Sequence, residues 1–161
     1  MDSYEEWAQQ KIEQEKRRTH NAEKVTDESL YAAEMAINKY CFGKELFYIP
    51  LYFIPPDIAE KRKNPQGVYG YGCIMIDKKF YEENGVNDDV INVLFHEMIH
   101  AYCDLKGIED TIGSKHTYEF SKVCSEHGGI SAYENGFYGF SISTLSAEKM
   151  KKVKQRIKKG A

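Results

Sequence analysis

The sequence predicts an α+β fold, with helices and short strands segregated along the chain rather than alternating regularly. Three observations carry this. Apolar residues recur at helical spacing after Thr26-Asp27-Glu28 and again after Asn87-Asp88-Asp89. Two apolar, aromatic runs of strand length cover 46–54 and 68–76, separated by a polar connector. The chain also begins and closes in charged stretches with helical patterning.

Taken in order, Ser3 with Glu6 forms a capping box for a charged helix running to about Lys24, expected to be a loose arm. Thr26-Asp27-Glu28 starts a second helix, which carries Leu30, Ala33, Ala36, Ile37 and Tyr40 on one face and stops near Gly43. Residues 55–67 connect the two strand-like runs. Asn87 then caps a helix with Asp88 and Asp89 in its first turn, apolar nearly all round, until Gly107 ends it. Ser114 has the character of a cap for the next helix. The expected organisation is a charged helix over 1–25, a main domain over 26–145 and a basic helix or tail over 146–161.

A chain of 161 residues, 42% hydrophobic and 29% charged, suits one domain and leaves no room for a second full one. The amino terminus Met1-Asp2-Ser3-Tyr4-Glu5-Glu6 is acidic and polar, and no apolar run approaches a membrane span. The expectation is a cytoplasmic protein without a membrane partner. Cys41, Cys73, Cys103 and Cys124 are scattered and read as free thiols.

The apolar helix holds the strongest chemical signal. His96-Glu97-Met98-Ile99-His100 reads H-E-x-x-H, and residues four apart on a helix share a face, so both imidazoles can close on one metal ion. A catalytic zinc site keeps three protein ligands and leaves its fourth position to water, whose acidity the ion raises. Glu97 suits the general base that takes the water proton and returns it to the leaving amine. Buried histidines bonded to backbone carbonyls are the plainer alternative, but two imidazoles and a carboxylate on one buried stripe are costly without a metal.

The third ligand must come from elsewhere. Lys106 stands six residues after His100, which excludes the metzincin pattern, and the downstream candidates are His116, Glu119, Glu126 and His127. On a single helix His116 and His127 lie about 16 Å apart along the axis, so they cannot share a metal. His116, placed in a first helical turn that keeps its ring neutral, is preferred; Glu119 remains the alternative, and His127 reads as a polar cap.

The segment resembles the SprT-like zinc metallopeptidases, which include the Spartan proteases. The resemblance rests on His96-Glu97-Met98-Ile99-His100-Ala101-Tyr102, on His116 with Glu119-Phe120 behind it, and on Gly72-Cys73-Ile74-Met75-Ile76 upstream, over about residues 68–128. It implies a zincin-like fold, with the active-site helix packed on a small sheet and further helices. It also implies one Zn²⁺ held by His96, His100 and His116, Glu97 as catalytic base, and protein or peptide substrates in a DNA-associated setting. The four cysteines never fall two apart, so the zinc ribbon that follows the core in many such proteins is not expected.

Several residues around this core have two readings each. Tyr69, Tyr71, Tyr118, Tyr133 and Tyr138 could polarise an oxyanion or simply pack. Asp104, four residues after His100, could orient that ring or lie on the surface, and Glu119, if not a ligand, would stand behind the site. Residues 71–76 are the candidate sheet edge for an extended substrate, with a plain core strand as the other reading. At the end of the chain Lys151, Lys152, Lys154, Arg156, Lys158 and Lys159 flank the apolar stripe Met150, Val153 and Ile157. Such a helix could meet nucleic-acid phosphates, or be a solvated helix packed by its stripe. The functional expectation is a zinc-dependent endopeptidase; the alternative is a nucleic-acid-binding or regulatory protein whose metal is structural.

Overall fold

The structure, a computed structural model, describes residues 3–18, 22–46, 49–63, 65–70 and 72–159. It is α+β, as the sequence predicts, with three small sheets around a central helix.

Helix α1 spans Ser3–Arg18, so it is shorter than the helix to Lys24 read from sequence. It is also not a loose arm: Trp7 and Ala8 are buried in the main core, and Lys11 pairs with Asp104 at 2.7 Å. Lys24 instead sits in an extended segment that bridges Tyr52. Helix α2, Glu28–Phe42, matches its expected bounds, because Asp27 accepts from the Ser29 amide and Gly43 closes the helix in the left-handed conformation.

The first strand-like run yields β1, Leu51–Phe53, while 47–48 lie outside the described residues. A short helix α3, Pro56–Lys61, occupies the connector, with proline at its first turn. The second run is two strands rather than one: β2, Gly67–Gly70, and β3, Cys73–Ile76, pair antiparallel. The sheet order is β1-β3-β2. Residues 73–76 are therefore its centre, not its edge, and Tyr71 lies outside the described residues. The outer side of β1 is covered by hydrogen bonds with 23–25, so the open edge among the described residues is β2.

After α4, Lys78–Asn84, comes α5, Asp88–Lys106, which runs through the core. Asn87 accepts from the Val90 amide at 3.0 Å and Gly107 ends the helix at φ 69°, as the sequence signals imply. Phe95, Met98, Ile99 and Ala101 are fully buried. The segment after Gly107 forms a hairpin of β4, Thr111–Ile112, and β5, Lys115–His116. Helix α6, Tyr118–Glu126, starts only afterwards. Its cap is Thr117, whose hydroxyl accepts from the Phe120 amide at 3.2 Å, and not Ser114. Strands β6, Gly129–Ala132, and β7, Ile142–Leu145, pair antiparallel. Helix α7, Ala147–Lys158, closes the chain and packs on α2. All four cysteines are buried and keep their thiols, with no disulfide between them. No helix among the described residues is long and apolar enough to cross a membrane.

Candidate metal centre

Helix α5 presents His96 and His100 on one face, and the β4–β5 hairpin brings His116 to them. The Nε2 atoms converge: His100 lies 3.3 Å from His96 and 3.2 Å from His116. Four ligands at about 2.0–2.1 Å around a zinc ion stand about 3.3–3.4 Å from one another at tetrahedral corners, so these spacings fit one ion. The three histidines are close enough to hold a metal. Glu119 and Glu126 are exposed and stand outside the cluster.

Each ring is fixed through its other nitrogen. His100 Nδ1 meets the Asp110 carboxylate at 2.7 Å, His116 Nδ1 meets the Tyr138 carbonyl at 3.1 Å, and His96 Nδ1 meets the Ser143 hydroxyl at 3.1 Å. A carboxylate and a carbonyl can only accept, so His100 and His116 donate from Nδ1, and in a neutral ring that leaves the lone pair on Nε2. Two lone pairs facing each other at 3.2 Å repel, and a cation between them turns that repulsion into binding. Burial, followed by the neighbouring imidazoles, lowers the His96 pKa far below its ordinary value. Burial and His100 likewise lower that of His116. Both rings are thereby kept neutral, as metal ligation requires.

His116 is positioned by strand pairing, not by a helix turn. It pairs with Thr111, its amide donates to the Tyr138 carbonyl at 2.8 Å, and its carbonyl accepts from the Phe140 amide at 3.2 Å. Phe120, fully buried, packs against all three imidazoles with ring centroids at 4.6–5.1 Å.

Glu97 is buried beside the histidines. Burial pushes its carboxyl above the usual range, against the opposing pull of His100, a hydrogen bond from the Tyr69 backbone and the Arg62 guanidinium. Strand β2 passes directly over it: a Cβ on Gly67 would stand 2.6 Å from Val93 Cγ1 and 3.1 Å from Glu97 Oε2. A cleft of about 700 Å³ opens here, lined by β2, His100, Asp110, His116 and Tyr138. A second cavity of about 520 Å³ shares Gly67, His96 and Glu97 with it and extends the groove toward β7.

Other expected site residues lie differently. Asp104 does not orient His100; it accepts from the Tyr69 hydroxyl at 2.7 Å and pairs with Lys11. The ring-orienting acid is Asp110, which sequence spacing missed because it lies beyond the helix end. Tyr118 is exposed and packs edge-on against Phe140 at 5.9 Å. His127 caps α6, bonding the Val123 carbonyl and stacking on Phe42. On α7, Val153 is buried with Met150 and Ile157 beside it, which is the packed-stripe reading. Lys152 pairs with Glu148 and Lys154 with Asp88, while Lys151, Arg156, Lys158 and Lys159 are exposed.

No family model, no curated protein and no solved structure matches this chain.

Proposed function

We propose that the chain is a zinc-dependent metalloendopeptidase of the SprT-like, zincin-like kind. The observation that carries this reading is three imidazoles with converging Nε2 atoms, each held through Nδ1, beside one buried carboxylate in an open groove. Held there, Zn²⁺ would supply Lewis-acid activation of water and of the scissile carbonyl. Glu97 takes a proton from the attacking water at a carboxylate oxygen, the water oxygen bonds to the carbonyl carbon, and Glu97 then gives that proton to the departing amine nitrogen as the C–N bond breaks. A carboxyl raised by burial is suited to both transfers. The outer edge of β2, apart from the Tyr69 backbone group that bonds Glu97, offers backbone hydrogen bonds to an extended polypeptide, with little demand on its sequence.

Glu97→Gln tests this reading. The variant should keep zinc near one per chain and lose cleavage of an unstructured protein substrate. Equal cleavage by parent and variant would sink it. The exposed bases Lys151, Arg156, Lys158 and Lys159 on α7 favour a second reading, a nucleic-acid-binding protein with a structural metal. The same bases serve the endopeptidase as a DNA contact. If Glu97→Gln retains full biological activity, the non-catalytic reading is favoured.

A further inference from the structure

Eight large apolar side chains are exposed among the described residues, and only Met35 lies outside 112–142. The other seven all belong to the segment 112–142, which carries His116. Ala132 pairs with Ile142 across β6–β7, so Ile130, two residues earlier, shares the solvent face with Ile142. Tyr133 and Tyr118 both pack edge-on against Phe140, at 5.2 and 5.9 Å. Phe137 packs on Tyr138 at 4.8 Å. Exposed apolar side chains gathered on one segment beside a groove mark an interaction site.

The patch is built into the groove. Tyr138 lines the larger cleft, and its carbonyl holds His116. Ile142 lines the second cavity with His96 and Glu97, and the next residue, Ser143, holds His96. A polypeptide leaving the Glu97 carboxylate along either cavity therefore meets an apolar side chain of the patch. We infer that this surface selects substrates by apolar and aromatic side chains flanking the bond to be cut, so that the chain acts on unfolded polypeptide segments. Folded proteins bury such residues, whereas an unfolded segment presents several in succession. The inference rests on the endopeptidase reading and names its substrate class.

The test uses the full-length, zinc-loaded Glu97→Gln chain and two labelled peptides, one with Phe and Leu at alternate positions, the other with Gln and Ser there. Fluorescence anisotropy should show the apolar peptide binding at least about tenfold more tightly. Combining Tyr118→Ser, Ile130→Ser and Phe137→Ser in that chain, with the cavity-lining Tyr138 and Ile142 kept, should shrink the difference at least about threefold, leaving zinc content and binding of the polar peptide unchanged. Equal binding of the two peptides, on the chain with its patch intact, overturns the inference. So does a triple-substituted chain that is folded by circular dichroism yet prefers the apolar peptide as strongly as its parent. Sedimentation showing a dimer that the three substitutions abolish would assign the patch to a second copy and also overturn it. Cleavage of the polar peptide by the chain with Glu97 intact, lost in Glu97→Gln, reports on the endopeptidase reading alone, so failure of either idea is seen separately.

Discussion

The Asp110 carboxylate lies 2.7 Å from His100 Nδ1 and fixes which nitrogen of that ring can face a metal. Asp110→Asn should reverse this, because an amide N–H can donate to Nδ1 and leave the proton on Nε2. Zinc affinity, measured by competition with a chromogenic chelator, should fall about 10–100-fold while circular dichroism stays unchanged. Asp104→Asn is the control: its contacts are Tyr69 and Lys11, so zinc affinity should not move. An Asp110→Asn chain that binds zinc like its parent would remove the tautomer argument.

Gly67 sets how closely β2 approaches Glu97. Gly67→Ala places a Cβ 2.6 Å from Val93 Cγ1 and 3.1 Å from Glu97 Oε2, so the strand or the carboxylate must shift. Overpacking of this kind costs about 1–3 kcal/mol of stability. Misplacing Glu97, the proposed base, by a fraction of an ångström to 1 Å should lower kcat/KM by up to about 100-fold. Zinc content should stay near one per chain, since no ligand is displaced. A variant with parental kcat/KM would show that β2 does not position the base.

The parts of this site legible in the sequence are those set by local chemistry. Asn87, Gly107 and the four-residue spacing of His96 and His100 define α5 without reference to the rest of the chain. Asp27 and Gly43 do the same for α2. His116 was identifiable by residue type, but its setting was not. Ser114 is the cap that residue type favours, and only the hairpin pairing of Thr111 with His116 moves the helix start to Thr117. The 68–76 run reads as one strand because it is continuously apolar and aromatic, although Gly72, at φ 79°, turns it back on itself. Which strand is the sheet edge depends on pairing between distant segments and leaves no local trace. The docking of α1 through Trp7 was hidden by the charges around it.

Acid should unfold the metal-free chain early. His96 and His116 titrate below their ordinary value of 6.5, each chiefly through burial, whereas in the unfolded chain they titrate near that value. As pH falls through 6.5 the unfolded chain takes up these protons first, so stability that is complete above that pH is lost as it falls toward the folded values. Asp110 adds a later loss: burial raises its carboxyl, but the hydrogen bond and charge of His100, its own backbone amide and His116 together outweigh this and hold it below 3.8. The melting temperature of the chelated chain should drop steadily from pH 7 to about pH 5, and replacing His96 and His116 by Gln should flatten the curve. A melting temperature independent of pH over that interval would contradict the neutral, buried state of both rings.

Gly139 is the backbone contact beside His116, the proposed third ligand. It bridges His116, and a Cβ there would stand 2.3 Å from the His116 carbonyl oxygen and 3.1 Å from its amide nitrogen. Its φ of 66° adds the left-handed penalty of a side chain, so Gly139→Ala should cost more than about 2 kcal/mol. The strain falls on the strand that carries His116, and zinc affinity should therefore drop with stability. Gly43→Ala separates the two effects: its φ is 57°, but nothing lies within 4 Å of the added Cβ. That variant should lose about 1–2 kcal/mol and keep parental zinc affinity. Chemical denaturation and chelator competition on both variants make the comparison. If Gly139→Ala loses stability but binds zinc as tightly as Gly43→Ala, the 138–140 segment supports the fold without positioning His116.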